Sequence, residues 1–193
     1  MTLTIWAAAT FFYALFWLWY AMPRRKITPQ EADDFLAWAS SQGVEPERAR
    51  GLREFFAKDD GRDFVMVNLI TLKKPVRESS AKLAAYQKVF LGQLLRKAGH
   101  PVMTALRSGA NIEQVNCDQN SDWAAMAAIR YRSRRDLLEI LPATFGSDHH
   151  QLKLDAVANT IAFPASNWFI TGGPKLAVAL ATLLLACVAE LLI

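Results

Sequence analysis

The chain has 193 residues, with 22 Lys plus Arg against 18 Asp plus Glu, a formal net charge of +4, and 52% hydrophobic residues. That is one domain-sized core with extra segments rather than two full cores, and it excludes an intrinsically disordered chain. Two cysteines, Cys117 and Cys187, exclude a disulfide framework, since Cys187 lies in an apolar run that the other cannot reach.

The charge is unevenly spread. Every Lys and Arg falls between Arg24 and Lys175, and so does every acid except Glu190. Apolar ends around a polar middle describe a membrane protein, not a nucleic-acid binder, whose aromatics would interleave with its basic patch.

Residues 1–22 carry no charge. As a helix they span roughly 33 Å, enough for a hydrocarbon core of about 30 Å. A cleaved signal peptide would need a positive n-region, a short h-region and a small-x-small cleavage site, and none is present. Arg24, Arg25 and Lys26 follow the run, so the positive-inside rule predicts an external N-terminus and a cytoplasmic continuation. These three cations are candidates for contact with anionic lipid or an acidic partner. Trp17, Trp19 and Tyr20 suit the interfacial belt. Phe11, Phe12 and Phe16 lie deeper and, with Trp17, are candidates for packing against another membrane subunit or a flat lipid-soluble cofactor, although the belt is the simpler reading.

Residues 23–62 read as a helical connector. Thr28-Pro29-Gln30-Glu31 is a capping box, and Ala32, Phe35, Leu36 and Ala39 recur at helical spacing, so a helix should run to about Ser41 and stop at Gly43. A second helix fits 46–58 around Leu52, Phe55 and Phe56.

From residue 63 the period changes, opening a domain over 63–166. Residues 64–70 form a nearly wholly apolar strand, 80–98 a helix with Leu83, Tyr86, Val89, Phe90 and Leu94 on one face, and 101–107 a second strand. After a polar loop, 123–131 is a third strand. Ser133 then caps a helix with Asp136 in the capping position, the helical pattern resumes after Pro142 to about Asp155, and 156–163 is the last strand. This β-α-β-β-α-β order predicts an α+β, ferredoxin-like domain with helices on one sheet face and the other face needing a cover.

Gly172-Gly173 breaks the chain, Pro174 suits a first helical turn, and 174–193 is a second span, apolar after Lys175 except for Glu190. A core or amphipathic helix would need a polar face, which the segment lacks. The expected topology has both termini outside an inner (cytoplasmic) membrane and the central domain in the cytoplasm. Neither span carries a small-xxx-small glycine motif, so self-association through the spans is not signalled.

Met66-Val67-Asn68-Leu69-Ile70 with Lys73, Tyr86, Asp122-Trp123, Arg130-Tyr131-Arg132-Ser133-Arg134 and His149-His150 together resemble a small uncharacterised domain family of the dimeric α+β-barrel superfamily, to which the antibiotic-biosynthesis monooxygenases also belong. The resemblance covers about 63–163 and departs where the family has Pro before Ser-Arg, a place Arg132 takes here. It implies two sheets packed face to face in a homodimer around a small cavity.

No strong chemical motif stands out. His149 and His150 are adjacent and so diverge by roughly 100° on a helix, whereas metal ligation from one helix wants a spacing of three or four. Cys117 has no base beside it in sequence, no Gly-x-Ser-x-Gly occurs, and Gly172-Gly173-Pro174 lacks the rest of a phosphate loop. No metal and no cofactor is therefore expected. The resemblance and the strand alternation suggest Asn68, Tyr86, Arg130, His149 and His150 as polar groups near a cavity, with buried backbone or dimer contacts as the plainer role of Asn68 and Arg130. Arg130, Arg132, Arg134 and Arg135 form the densest basic cluster. Two of them fall in a helix's first turn, where cations oppose the dipole, so an anion must compensate: a carboxylate of this chain, an anionic lipid or an acidic partner. These features favour a non-catalytic accessory or assembly subunit of a larger membrane complex, with an energy-converting one in view. The alternative is a membrane-anchored, monooxygenase-like enzyme acting on a lipophilic substrate.

Overall fold

The computed structural model describes residues 2–116, 123–144, 148–166 and 168–192, with 148 and 149 described by backbone alone. Cys117, Asp122 and the His149 side chain, singled out above, lie outside the described residues. Among the described residues seven α-helices and four strands follow as α1 (Thr2–Ala21), α2 (Pro29–Ser41), α3 (Pro46–Ala57), β1 (Phe64–Leu72), α4 (Val76–Arg96), β2 (His100–Leu106), β3 (Ala125–Tyr131), α5 (Arg134–Ile140), α6 (Asp148–Ala156), β4 (Val157–Ala165) and α7 (Pro174–Leu191). They form two units, Met1–Met22 with Asn167–Ile193, and Pro23–Ser166.

The first unit is a pair of helices, each long and apolar enough to cross a membrane. Gly173 stands at the N-cap of α7 with Pro174 in its first turn, where the missing N–H leaves no hydrogen bond unmade. The few polar groups find one another across the pair. Trp6 Nε1 donates to the Glu190 carboxylate at 3.2 Å, the Tyr13 hydroxyl donates to the Lys175 carbonyl at 3.4 Å, and the Lys175 ammonium lies 5.9 Å from the centroid of the Tyr20 ring. Phe16 stacks on Tyr20, whereas Phe11, Phe12 and Trp17 are exposed on α1.

In the second unit the capping box of α2 forms as the sequence specifies. The Thr28 side chain accepts from the Glu31 backbone N–H, and the Glu31 carboxylate accepts from that of Thr28. Ala32, Phe35, Leu36 and Ala39 are buried with Ile27 and Phe56, and Leu138 and Leu141 pack on the same cluster. The two connector helices thus contribute a core of their own, with Phe35 meeting Phe56 edge to face at 5.5 Å.

The sheet is antiparallel throughout, in the order β2-β3-β1-β4, which is compatible with the ferredoxin-like expectation. Phe64 pairs with Tyr131, Met66 with Ile129 and Asn68 with Ala127. Since directly paired residues share a face, these line the side that packs on Phe90, Leu91 and Leu94 of α4 and Leu137 and Ile140 of α5. The same register puts Val65, Val67 and Leu69 of β1, Met126 and Ala128 of β3, Met103 and Ala105 of β2, and Ile161 and Phe163 of β4 on the other side. Over these nine positions that side is uncharged, and Met103, Ile161 and Phe163 keep 50%, 47% and 45% of their surface exposed. Pro164 is tolerated because β4 is an edge strand, with one side owing no ladder hydrogen bond.

Several boundaries differ from the sequence expectation, three of them with a clear physical setting. Helix α4 starts at Val76, directly after Pro75 at its N-cap, so Ser79 and Ser80 lie inside the helix rather than opening it. A 3₁₀ turn over Leu141–Ala143 separates α5 from α6 where one resumed helix was expected. Strand β4 continues to Ala165, through Pro164.

Candidate functional site

The arginine cluster is drawn into the chain's own carboxylates and carbonyls. The Arg135 guanidinium donates to both Glu31 oxygens, at 3.0 and 2.7 Å, and to the carbonyls of Arg25 and Lys26, each at 2.8 Å. Arg25 bonds Glu31 at 2.6 Å. Arg132 pairs with the buried Asp136, which Ser133 caps through its hydroxyl. Arg24 lies 3.6 Å from both Asp136 and Glu139, and Lys97 also pairs with Glu139. Arg134 sits over the Phe55 ring at 4.7 Å. The anion required at the N-terminus of α5 is thus supplied by Glu31, Asp136 and Glu139, while the Lys26 side chain remains exposed.

Asn68 and Arg130 do not share a site. Asn68 lies on the helix-covered side, and its amide donates to the carbonyls of Met66 and Ala127 at 3.1 and 3.3 Å. Arg130 pairs with Val65 on the opposite side, where it is buried to 1% exposure and donates to Asp63 at 2.9 Å and to the Ala98 carbonyl at 2.8 Å. Both serve internal hydrogen bonds, as a buried polar group must.

Tyr86 and His150 are linked through two residues the sequence did not single out. Helices α4 and α6 pack on one another. Lys153, one helical turn after His150, holds its ammonium 5.8 Å from the centroid of Tyr86, whose ring stacks on Phe90 at 6.0 Å. Arg48, from α3, is close enough to act on the charge of Tyr86, His150 and Lys153 alike. Burial raises the Tyr86 phenol, and Arg48 partly offsets this. Burial, then Arg48 and then Lys153 push His150 down, while burial and Arg48 depress Lys153. Arg48 is exposed as a residue, yet burial around its guanidinium lowers its pKa too. Beneath, Tyr131 is buried and pushed far up by burial, with Tyr86 adding to the effect. Lys153 thus lies against the Tyr86 ring, which stacks on Phe90, and Arg48 acts on the charge of both Lys153 and His150.

A signal for one of the two missed residues exists in hindsight. Lys153 follows His150 at i+3, on the same helical face. Arg48 has no such local mark, because the packing of α3 brings it in. Among the described residues no group of three or more His, Cys, Asp and Glu could hold a metal.

No family model and no curated protein sequence matches the chain. Among solved structures it is similar to the crystal structure of RPA0582, a protein of unknown function from Rhodopseudomonas palustris, at 17% identity and a TM-score of 0.52 over 63% of this chain and 94% of that one. The methylated form of RPA0582 is similar at 18% identity and a TM-score of 0.51, covering 64% of this chain and 93% of the other. At such identities the likeness bears on the fold alone.

Proposed function

We propose that the protein is a two-span integral membrane protein of the inner (cytoplasmic) membrane, with a ferredoxin-like domain in the cytoplasm that acts as a non-catalytic accessory or assembly subunit of a larger membrane complex. The single observation that carries this reading is the apolar stretch of one sheet side, where Met103, Ile161 and Phe163 are half exposed beside the partly buried Val67, Leu69 and Met126, on a domain flanked by two apolar helices. Contiguous apolar surface of this kind marks a protein contact. Extraction in a mild non-ionic detergent should yield the chain together with another membrane protein, and Phe163→Asp should release it. Recovery as a lone monomer overturns the reading, and recovery as a homodimer that Phe163→Asp dissociates assigns the same surface to a second copy.

A second reading, a domain that binds a small molecule, is favoured by the convergence of Arg48, Tyr86, His150 and Lys153. A monooxygenase-like site that uses Asn68 and Arg130 together with Tyr86 gains no support from the geometry, because Asn68 and Arg130 face opposite ways.

A further inference from the structure

Resting on the two-span reading, we propose that the loop between α3 and β1 is a lipid-headgroup site, at which Lys58 and Arg62, together with Lys26, bind the phosphates of anionic phospholipids at the surface from which α1 emerges. The placement follows from backbone bonds inside the 23–166 unit. The Arg24 N–H donates to the Gly61 carbonyl at 3.0 Å, and the Ile27 N–H donates to the Asp59 carboxylate at 2.8 Å. Asp59 also accepts from the Gly61 N–H at 3.0 Å, so the loop is fastened along residues 24–27. Arg24 follows Ala21, the last residue of α1, by three positions. Three residues of chain reach at most about 11 Å. That tether alone keeps the loop close to any surface α1 emerges from.

The second tether leaves from the same place. Ala165, the last residue of β4, pairs with Val65, three residues after Arg62. The chain that continues to α7 therefore departs from the sheet end at which the loop lies.

The cations around this exit divide into two sets. Arg24 faces Asp136 and Glu139, and Arg25 faces Glu31, so both are taken up within the unit. Lys26, Lys58 and Arg62 are exposed, and among the described residues no carboxylate forms an ion pair with any of them. Of the loop's acids, Asp59 is occupied by two backbone donors and Asp63 by Arg130, which leaves Asp60 as its exposed carboxylate. Three exposed cations outweigh that one acid. Near an anionic membrane each Lys or Arg is worth about a fivefold gain in association, and phosphate is the charged group such a surface presents.

The test uses the full chain reconstituted into phosphatidylcholine vesicles with a trace of spin-labelled phosphatidylglycerol or spin-labelled phosphatidylcholine. Electron paramagnetic resonance reads the protein-bound fraction of each label. The expected result is a preference for phosphatidylglycerol of about fivefold or more, which high salt weakens and the triple variant Lys26→Gln/Lys58→Gln/Arg62→Gln brings close to equality. A matched removal, Lys74→Gln/Arg77→Gln/Lys88→Gln, takes exposed cations from beyond the far end of β1 and from α4 and should leave the preference in place. No preference in the wild type, a preference that the first triple variant retains, or an equal fall in both variants overturns the lipid site and leaves the two-span reading standing. A chain that fails to float with the vesicles overturns that reading, and the lipid site with it.

Discussion

Glu31 and Arg135 lie 104 positions apart and meet through two parallel hydrogen bonds of 2.7 and 3.0 Å, with Arg135 9% exposed. The same carboxylate accepts from the Thr28 N–H at 2.8 Å, so one side chain both starts α2 and fastens it to α5. Replacing it as Glu31→Gln removes the charge that Arg135 faces and weakens the cap. A bidentate, half-screened pair of this kind is worth roughly 1 to 2 kcal/mol. Chemical denaturation of the purified chain should show a loss of that size, concentrated in the 23–166 unit.

The same contact makes stability depend on pH. The Arg135 guanidinium first, then the Thr28 N–H and Arg25, hold the Glu31 carboxyl well below the ordinary carboxylate range. A group whose folded pKa is depressed contributes stability that is present above its unfolded value of about 4.3 and is lost as pH falls below it. Below about pH 4.5 the wild-type denaturation midpoint should therefore fall more steeply with decreasing pH than that of Glu31→Gln. Parallel slopes for the two proteins would remove Glu31 as a source of the acid sensitivity.

Gly61 predicts a different kind of failure. Its φ is +77°, a region L side chains rarely adopt, and a Cβ there would collide with the Arg24 carbonyl. That approach is needed because the Arg24 N–H donates to the Gly61 carbonyl at 3.0 Å, closing residue 24 against the loop before β1. Gly61→Ala should cost about 2 kcal/mol through the dihedral alone, with the collision adding to it. Gly109→Ala, in open space on the β2–β3 connection and without a positive φ, is the matched control and should leave the melting temperature unchanged.

Core packing offers a larger effect. Leu94 is fully buried against Phe64, Ile129 and Tyr131, and Gly99 closes over it so tightly that a Cβ at 99 would strike the leucine side chain. Leu94→Ala should lose roughly 3 kcal/mol as transfer energy plus cavity. Leu95→Ala, exposed one position on, should lose far less, and equal losses in the two variants would contradict the packing of α4 on the sheet.

What the sequence made legible was what local physics dictates. The Thr28–Glu31 box and the Ser133–Asp136 cap are readable because each satisfies backbone donors within three residues. The strand order of the sheet follows from alternating strands and helices with few permitted connections. Charge partners were not legible. That Arg135 would find Glu31, and that Arg130 would turn to Asp63 and Ala98, depends on which elements lie beside α5 and β3, which periodicity does not encode. For the same reason the sequence grouped Asn68 with Arg130, although the β1–β3 register pairs Arg130 with Val65, an odd number of residues from Asn68 along β1, which puts them on opposite sides of the sheet. It also left out Arg48 and Lys153, which join Tyr86 only through helix packing.

The proposed topology gives the last prediction. Arg24, Arg25 and Lys26 follow α1, and Lys175 opens α7, so the cationic end of each helix is the end joined to the polar 23–166 unit. Lys175 stands in the first turn of α7, where the helix dipole disfavours a cation, and it is held instead over the Tyr20 ring. A residue kept at an unfavourable helix end is better explained by the charge rule of the cytoplasmic surface than by the helix itself. At the opposite end, Trp6 and Glu190 form an indole–carboxylate pair that suits the far interface. With Cys117 and Cys187 replaced by serine, a cysteine introduced as Asp60→Cys should resist a membrane-impermeant maleimide in intact cells and react after lysis, while Thr2→Cys should react in both. Carbonate washing should leave the chain in the membrane pellet. Labelling of Asp60→Cys in intact cells would reverse the orientation, and release by carbonate would show that the two apolar helices pack as a soluble pair rather than crossing the bilayer.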